Sequence, residues 1–179
     1  WDHKVELDLS DAEGIRLEVR CRDRSSIAQF HVYFEAKGGL TGIVFDLRNN
    51  GGGSLEAAIE IVGLFISRGP VVQVKSSNNG TKVKSNRDSQ VYWDGPLVVM
   101  VNDYSASASE IVAGALQDYK RATIIGKTSF GKGSVQTVRP LSNDSALKIT
   151  TAYYYTPNGR SIQGFGIKPD IPVDQNKDG

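Results

Sequence analysis

An α/β fold is predicted by an arrangement that occurs twice: a short apolar strand, a turn of small residues, and a helix with one broad apolar face. "GIVFDL" at 42–47 leads through "RNNGGGS" into "LEAAIEIVGLFI", and "LVVMVN" at 97–102 leads through "DYSASAS" into "EIVAGALQDY". Uninterrupted apolar runs of this length belong to strands buried on both faces of a parallel sheet. Segments outside these units alternate apolar and polar residues, which adds hairpins to the prediction. The two units share no sequence repeat.

Residues 4–19 alternate Val5, Leu7, Leu9 and then Ile15, Leu17, Val19 around the turn-forming "SDAEG", and read as an N-terminal β-hairpin. "SSIAQFHVYFEAKGG" sets Ile27, Phe30 and Phe34 at helical spacing and ends in glycines suited to a left-handed cap, with His31 on the surface. After the first apolar strand, Ser54 caps a helix whose face is Leu55, Ala58, Ile59, Val62, Phe65 and Ile66. Residues 70–93 alternate more weakly around "SSNNGTK", a hairpin turn. The "DGP" break precedes the second apolar strand, "ATIIG" is a third core strand and "SALKITTAYYYTP" a long fourth. The expected division is 1–39 as hairpin and helix, either part of the core or left by trimming of the chain, 40–173 as the core, and 174–179 as a polar tail.

Composition narrows the function classes. With 179 residues there is room for one well-buried domain, and 21 basic against 20 acidic side chains leave no field to attract nucleic acid. Cys21 stands alone and His3 and His31 are the only histidines, so neither a disulfide nor a metal site is expected, and no cofactor. No apolar stretch reaches the roughly 20 residues of a membrane span, so no membrane insertion is expected. A chain that starts at Trp1 reads as a fragment of a longer product.

Three serines at alternate positions, Ser105, Ser107 and Ser109, stand where the second strand gives way to its helix. Ser107 and Glu110 have the spacing of a capping box, and neither of the other two serines has an acid three residues on. The same position suits a nucleophile, because a serine on a tight strand-to-helix turn faces a ligand beside the unpaired N–H groups of the helix start. Cap and nucleophile compete for one hydroxyl. Neither histidine lies in a motif or beside a glycine-rich turn, which leaves a lysine as the candidate base. The best placed is Lys132, between Gly131 and Gly133. An ordinary lysine with a pKa of ~10.4 spends about 4.6 kcal/mol to be neutral at pH 7, so burial near groups such as Phe130 is required of it. Gln136 lies ~13 Å further along an ideal strand, so a bend near Gly133 is needed for it to orient the amine.

Four stretches then resemble, in order, the C-terminal-processing or tail-specific serine proteases: "GIVFDLRNNGGGSL" at 42–55, "SASASEIVAGALQD" at 105–118, "FGKGSVQ" at 130–136 and "YTPNGRSIQGFGIKPDI" at 155–171. The resemblance implies a crotonase-like or Clp-protease-like α/β core with a mixed sheet packed by helices. It implies Ser107 as nucleophile, Lys132 as general base and Gln136 as the residue that orients the lysine. The N–H groups of Ala108 and of Gly52, or Gly53, match the oxyanion hole. Asp46, Arg48, Glu110 and Asp118 fall on motif positions and read as structural supports. The substrates implied are proteins or peptides with unstructured C-terminal tails, cleaved without metal or nucleotide outside the cytoplasm, in a periplasm or equivalent space. Members usually carry a PDZ domain, and nothing in this chain has the length or pattern for one.

Rival readings are weaker in their motifs. "GKT" at 126–128 has Arg121 where a phosphate loop needs glycine. "SFGK" at 129–132 fits the Ser-x-x-Lys pattern of penicillin-recognising enzymes, with Ser129 as nucleophile, but the partner motifs of that class are missing. A non-catalytic peptide- or ligand-binding module of the same fold is the remaining alternative.

Overall fold

The computed structural model describes residues 15–18, 42–76, 80–142 and 145–174. Cys21, both histidines, the helix expected at 25–39 and the strand expected at 5–9 lie outside the described residues. The second strand of the expected hairpin is present in part as β1 (Ile15–Glu18), and it runs parallel to β2 (Ile43–Asp46).

The chain continues through α1 (Leu55–Gly63), β3 (Gly69–Ser76), β4 (Gly80–Asn86), β5 (Leu97–Val101), α2 (Ala108–Asp118), β6 (Thr123–Gly126), β7 (Ser134–Pro140), β8 (Ala146–Tyr155) and β9 (Ile171–Pro172). The expected mixture of strand directions is divided between two sheets. One, in the order β1-β2-β5-β6-β9, is parallel throughout, and the other, β4-β3-β8-β7, is antiparallel. Both predicted strand–turn–helix units therefore end at the same edge of the parallel sheet. The glycine turn and the serine turn lie at that edge.

Burial explains the pattern. Ile43, Phe45, Val99, Val101 and Ile124 of the parallel strands are all at most 2% exposed, as their unbroken apolar runs require. The Ser54 hydroxyl accepts the Ala57 N–H at 3.3 Å and caps α1, and Ala58 and Val62 point inward. Helix α1 is shorter than its apolar pattern: Phe65 and Ile66 are buried but belong to the turn after it, where Phe65 packs against Phe45 with ring centroids 6.4 Å apart.

Helix α2 differs more from expectation. One apolar face was predicted, yet every residue from Ala108 to Leu116 is buried, because α1, β3 and β6 all pack against it. Gly114 permits this, since a Cβ there would stand 2.9 Å from both Ile167 Cδ1 and Thr156 Cγ2. Tyr119, expected on the packed face, is 40% exposed at the helix end and donates its hydroxyl proton to Pro70 O.

Tyr154 of β8 packs on the core, and burial first, then the Glu56 carboxylate, push its phenol above the ordinary value of 10.0. A phenol held protonated in the fold contributes stability that is complete below its unfolded pKa and is lost as pH rises through the folded value. The unfolding free energy is expected to fall with pH above about 10, and Tyr154→Phe to flatten that slope. Urea titrations at pH 9 and 11 measure it; equal slopes in both proteins contradict it.

Candidate active site

The serine cluster resolves into two staples and one hydroxyl whose proton is donated to no described residue. Ser105 donates to Leu47 O at 2.7 Å and accepts the Asn102 N–H at 3.0 Å, which joins the ends of β2 and β5. Ser109 donates to Asn50 O at 3.0 Å. Ser107 lies between them at φ 59°, ψ −115°, a conformation that costs a non-glycine residue on the order of 1–3 kcal/mol and marks functional turns. It occupies the capping-box position with Glu110, but the glutamate carries the arrangement. The Glu110 carboxylate accepts the Ser107 N–H at 2.8 Å, the Glu110 N–H bonds the Ser107 carbonyl at 3.0 Å, and the Ser107 hydroxyl, set over the Glu110 N–H in the capping box, donates its proton to no described residue.

Glu110 has a second set of partners on the loop after β6. Its side chain is fully buried, and it accepts from the Ser129 hydroxyl at 2.6 Å, the Gly131 N–H at 2.7 Å and the Lys132 N–H at 2.8 Å. One oxygen, Oε2, takes both the Ser107 and Lys132 N–H groups, so the two main-chain nitrogens are held within twice that bond length of each other. Four donors fill the roughly four lone-pair sites of a carboxylate. Nothing in the local sequence shows this, since the partners lie 19 to 22 residues away.

The loop at 128–133 also interlocks with the turn at 162–167. The Gly164 N–H bonds Gly131 O at 2.9 Å, the Gly133 N–H bonds Gln163 Oε1 at 3.0 Å, and the Ile167 N–H bonds the Ser129 hydroxyl at 2.6 Å. Gly131 and Gly133 allow the close approach expected of them: a Cβ on Gly133 would stand 2.4 Å from Gln163 N. The Ser129 hydroxyl is engaged as both donor and acceptor inside this joint, and the residue is buried. Lys127 of the "GKT" stretch pairs with Asp174 at 3.5 Å.

Lys132 is fixed by its main chain and exposed at its side chain. No hydrogen bond joins it to the Ser107 hydroxyl among the described residues, so the pair is adjacent in backbone but open. The burial expected of the lysine is not present in this arrangement. Gln136 is exposed on β7, where the pairing with β8 shifts from Val135–Ala152 to Gln136–Thr150, so the extra residue is Thr151 of β8 and β7 itself skips none.

The glycine turn packs on the serine turn. Gly52 has φ +94°, and a Cβ there would meet Ala106 O at 2.6 Å, Ala108 N at 2.7 Å and Ser107 Cβ at 2.8 Å. Its N–H donates to Asn50 Oδ1 at 2.9 Å, while those of Gly53 and Ala108 bond no described residue. The remaining motif residues are paired: Arg48 forks onto Asp46 at 2.9 and 2.8 Å, and Asp118 accepts from the Arg160 guanidinium and from the Asn158 N–H at 2.8 Å.

The profile of Peptidase family S41 matches residues 9–173. A carboxy-terminal-processing protease of Bartonella bacilliformis is 51% identical over 137 residues, 76% of this chain and 32% of that protein. A chloroplastic C-terminal processing peptidase of Tetradesmus obliquus is 42% identical over 160 residues, 89% of this chain and 34% of its own length. Among solved structures, the photosystem II D1 C-terminal processing protease superposes with a TM-score of 0.71 at 43% identity, covering 77% of this chain and 36% of that one. The tricorn protease, 18% identical with a TM-score of 0.52, shares the fold. The chain spans about a third of the length of the curated relatives it matches. With the family profile covering almost the whole sequence and relatives above 40% identity, this chain, whose core is of the Clp-protease-like α/β type, belongs to Peptidase family S41.

Proposed function

We propose that the chain is the catalytic core of a serine endopeptidase that cleaves protein substrates at or near their C-termini, with Ser107 and Lys132 as its working pair. The observation that supports this reading is the Ser107 hydroxyl on a strained turn, whose proton goes to no described residue, flanked by two serines whose hydroxyls donate to main-chain oxygens and joined through Glu110 to the lysine loop.

Ser107 Oγ attacks the scissile carbonyl carbon while its proton passes to the neutral Lys132 amine. The oxyanion of the tetrahedral intermediate is received by the N–H groups of Ala108 and Gly53, and Gly52 contributes chiefly by having no side chain in the way. Lysine returns the proton to the leaving amine, an acyl-serine remains, and water deprotonated by the same lysine releases it. Gln136 orients the amine once the pair closes. The exposed lysine has to shed water first, and an extended substrate laid over the loop supplies the cover. Strand β7 forms an edge of the antiparallel sheet, where such a substrate can add through main-chain hydrogen bonds. The full-length protein acts outside the cytoplasm on this reading, as the family resemblance implies; no described helix is long and apolar enough to cross a membrane.

The test is incubation with an unstructured protein ending in an apolar tail, in chelator and without nucleotide, with the products weighed by mass spectrometry. Cleavage near the C-terminus is expected under these conditions. Binding of the intact substrate without cleavage is the result of a non-catalytic peptide-binding module, and cleavage stopped by the chelator contradicts the serine mechanism.

A further inference from the structure

Asn50 has no part in the reaction scheme above, yet it joins the two turns that meet at Ser107. Its side-chain Oδ1 accepts the Gly52 N–H at 2.9 Å. Its main-chain oxygen accepts the Ala106 N–H at 2.9 Å and the Ser109 hydroxyl at 3.0 Å. One residue thus holds a donor from the glycine turn and two donors from the residues on either side of Ser107. The turn that carries Asn50 is braced in its own right. Asn49 sits at φ 60° and exchanges two bonds with buried Asn102, N–H to Oδ1 and Oδ1 from Nδ2, each 2.9 Å.

The consequence lies in which N–H groups remain for an oxyanion. The Gly52 N–H is turned to Asn50, and the Gly53 and Ala108 N–H groups bond no described residue. The direction of the Gly53 N–H is set by the dihedrals of Gly52, a residue with no Cβ to restrict them and with φ +94°. Contact with the serine turn limits where the Gly52 Cα sits, and the bond to Asn50 limits how its peptide is rotated. Preorganisation of this kind is what an oxyanion hole needs, since donors that must turn at the moment of reaction lose most of their value. A carboxamide is also the acceptor chemistry that fits. It holds the N–H without placing a formal negative charge beside the carbonyl oxygen that becomes negative in the transition state.

We propose that Asn50 is a positioning residue for the oxyanion hole: its side-chain oxygen locks the Gly52 peptide so that the Gly53 and Ala108 N–H groups converge beside Ser107. The inference rests on the protease reading above. It assigns Asn50 a role in the rate of acylation and none in substrate affinity.

The experiment compares the parent chain with Asn50→Ala, Asn50→Gln and Asn50→Ser, reading kcat and KM on a peptide ester together with hydrogen exchange at the Gly52 amide. Alanine removes the acceptor, glutamine moves it out by one methylene, and serine restores it, since a serine hydroxyl can accept the N–H two residues on. In the alanine and glutamine variants kcat is expected to fall about 10- to 100-fold with KM within about twofold, because misplacement near the reacting atoms acts on the transition state. The Gly52 amide should exchange faster in the same two variants, and serine should recover most of both losses. An unchanged or raised kcat in Asn50→Ala, no recovery in Asn50→Ser, or unchanged Gly52 exchange overturns the proposal. Ester turnover abolished by Ser107→Ala but untouched by Asn50→Ala refutes Asn50 alone, whereas turnover that survives Ser107→Ala refutes the protease reading and the role of Asn50 with it.

Discussion

Replacing either Ser107 or Lys132 with alanine is expected to lower peptide-bond cleavage by about 10⁴-fold or more, with each single variant as inactive as the double. The expectation comes from their different kinds of preparation. Ser107 is held by its backbone at a positive φ, and its hydroxyl, unlike those of Ser105, Ser109 and Ser129, donates its proton to no described residue. Lys132 is pinned at its N–H by Glu110 while its four-carbon stem and ammonium are exposed. A fixed base of attachment with an exposed tip is suited to a pair that closes only when substrate covers it. Neither residue supplies much substrate affinity, so binding of a peptide to the alanine variants should stay within about threefold of the parent. Steady-state kinetics with titration of peptide binding checks both parts. Non-identical single and double variants, in which Lys132→Ala retains substantial cleavage, contradict a joint role.

Exchange of Glu110 has the second largest expected effect. Alanine leaves three N–H groups and one hydroxyl without their acceptor, and the two that are fully buried, Ser129 Oγ–H and Gly131 N–H, each cost about 1–3 kcal/mol as orphans. Glutamine is nearly the same size but presents an NH₂ group toward donors, so half of the cradle becomes repulsive. For Glu110→Gln a fall in kcat of at least about 100-fold is expected, since both ends of the working pair lose their anchor, together with a loss of stability of a few kcal/mol. Urea denaturation and kcat, measured on the same preparation, separate the two effects. A variant that is destabilised but retains full kcat would reduce Glu110 to an ordinary buried support.

Much of this site was legible because local chemistry and placement coincide. The apolar runs at 42–47 and 97–102 are of the kind found in buried strands, and the turns after them carry small residues where the helices begin. Ser54 caps its helix as read. Ser107 and Glu110 form the capping box that their spacing predicts, and the short bond in it is the one from the Ser107 N–H to the carboxylate. The remaining gaps are long-range. Helix α2 reads as one-faced because sequence periodicity cannot show that a second sheet covers its other side; Gly114, small where Ile167 and Thr156 approach, was the available sign. Strand β7 was not read as an element, since Gln136 to Pro140 are exposed and give no burial period to detect. The bonds from Glu110 to Ser129, Gly131 and Lys132, and from Asn50 to Ala106 and Ser109, join segments that are distant in sequence, and no spacing rule reports them. Tandem asparagines before three glycines were a hint of a braced turn.

The central claim, that Ser107 is the acylated nucleophile and Lys132 its base, is tested most directly by locating the acyl group. The chain is reacted with an activated peptide ester, quenched in acid and mapped by peptide mass, in parallel with Lys132→Ala. The account predicts a single acyl group on Ser107, none on Ser105, Ser109 or Ser129, and much slower labelling without the lysine. An acyl group on Ser129, or labelling of Ser107 at the same rate in Lys132→Ala, would contradict it.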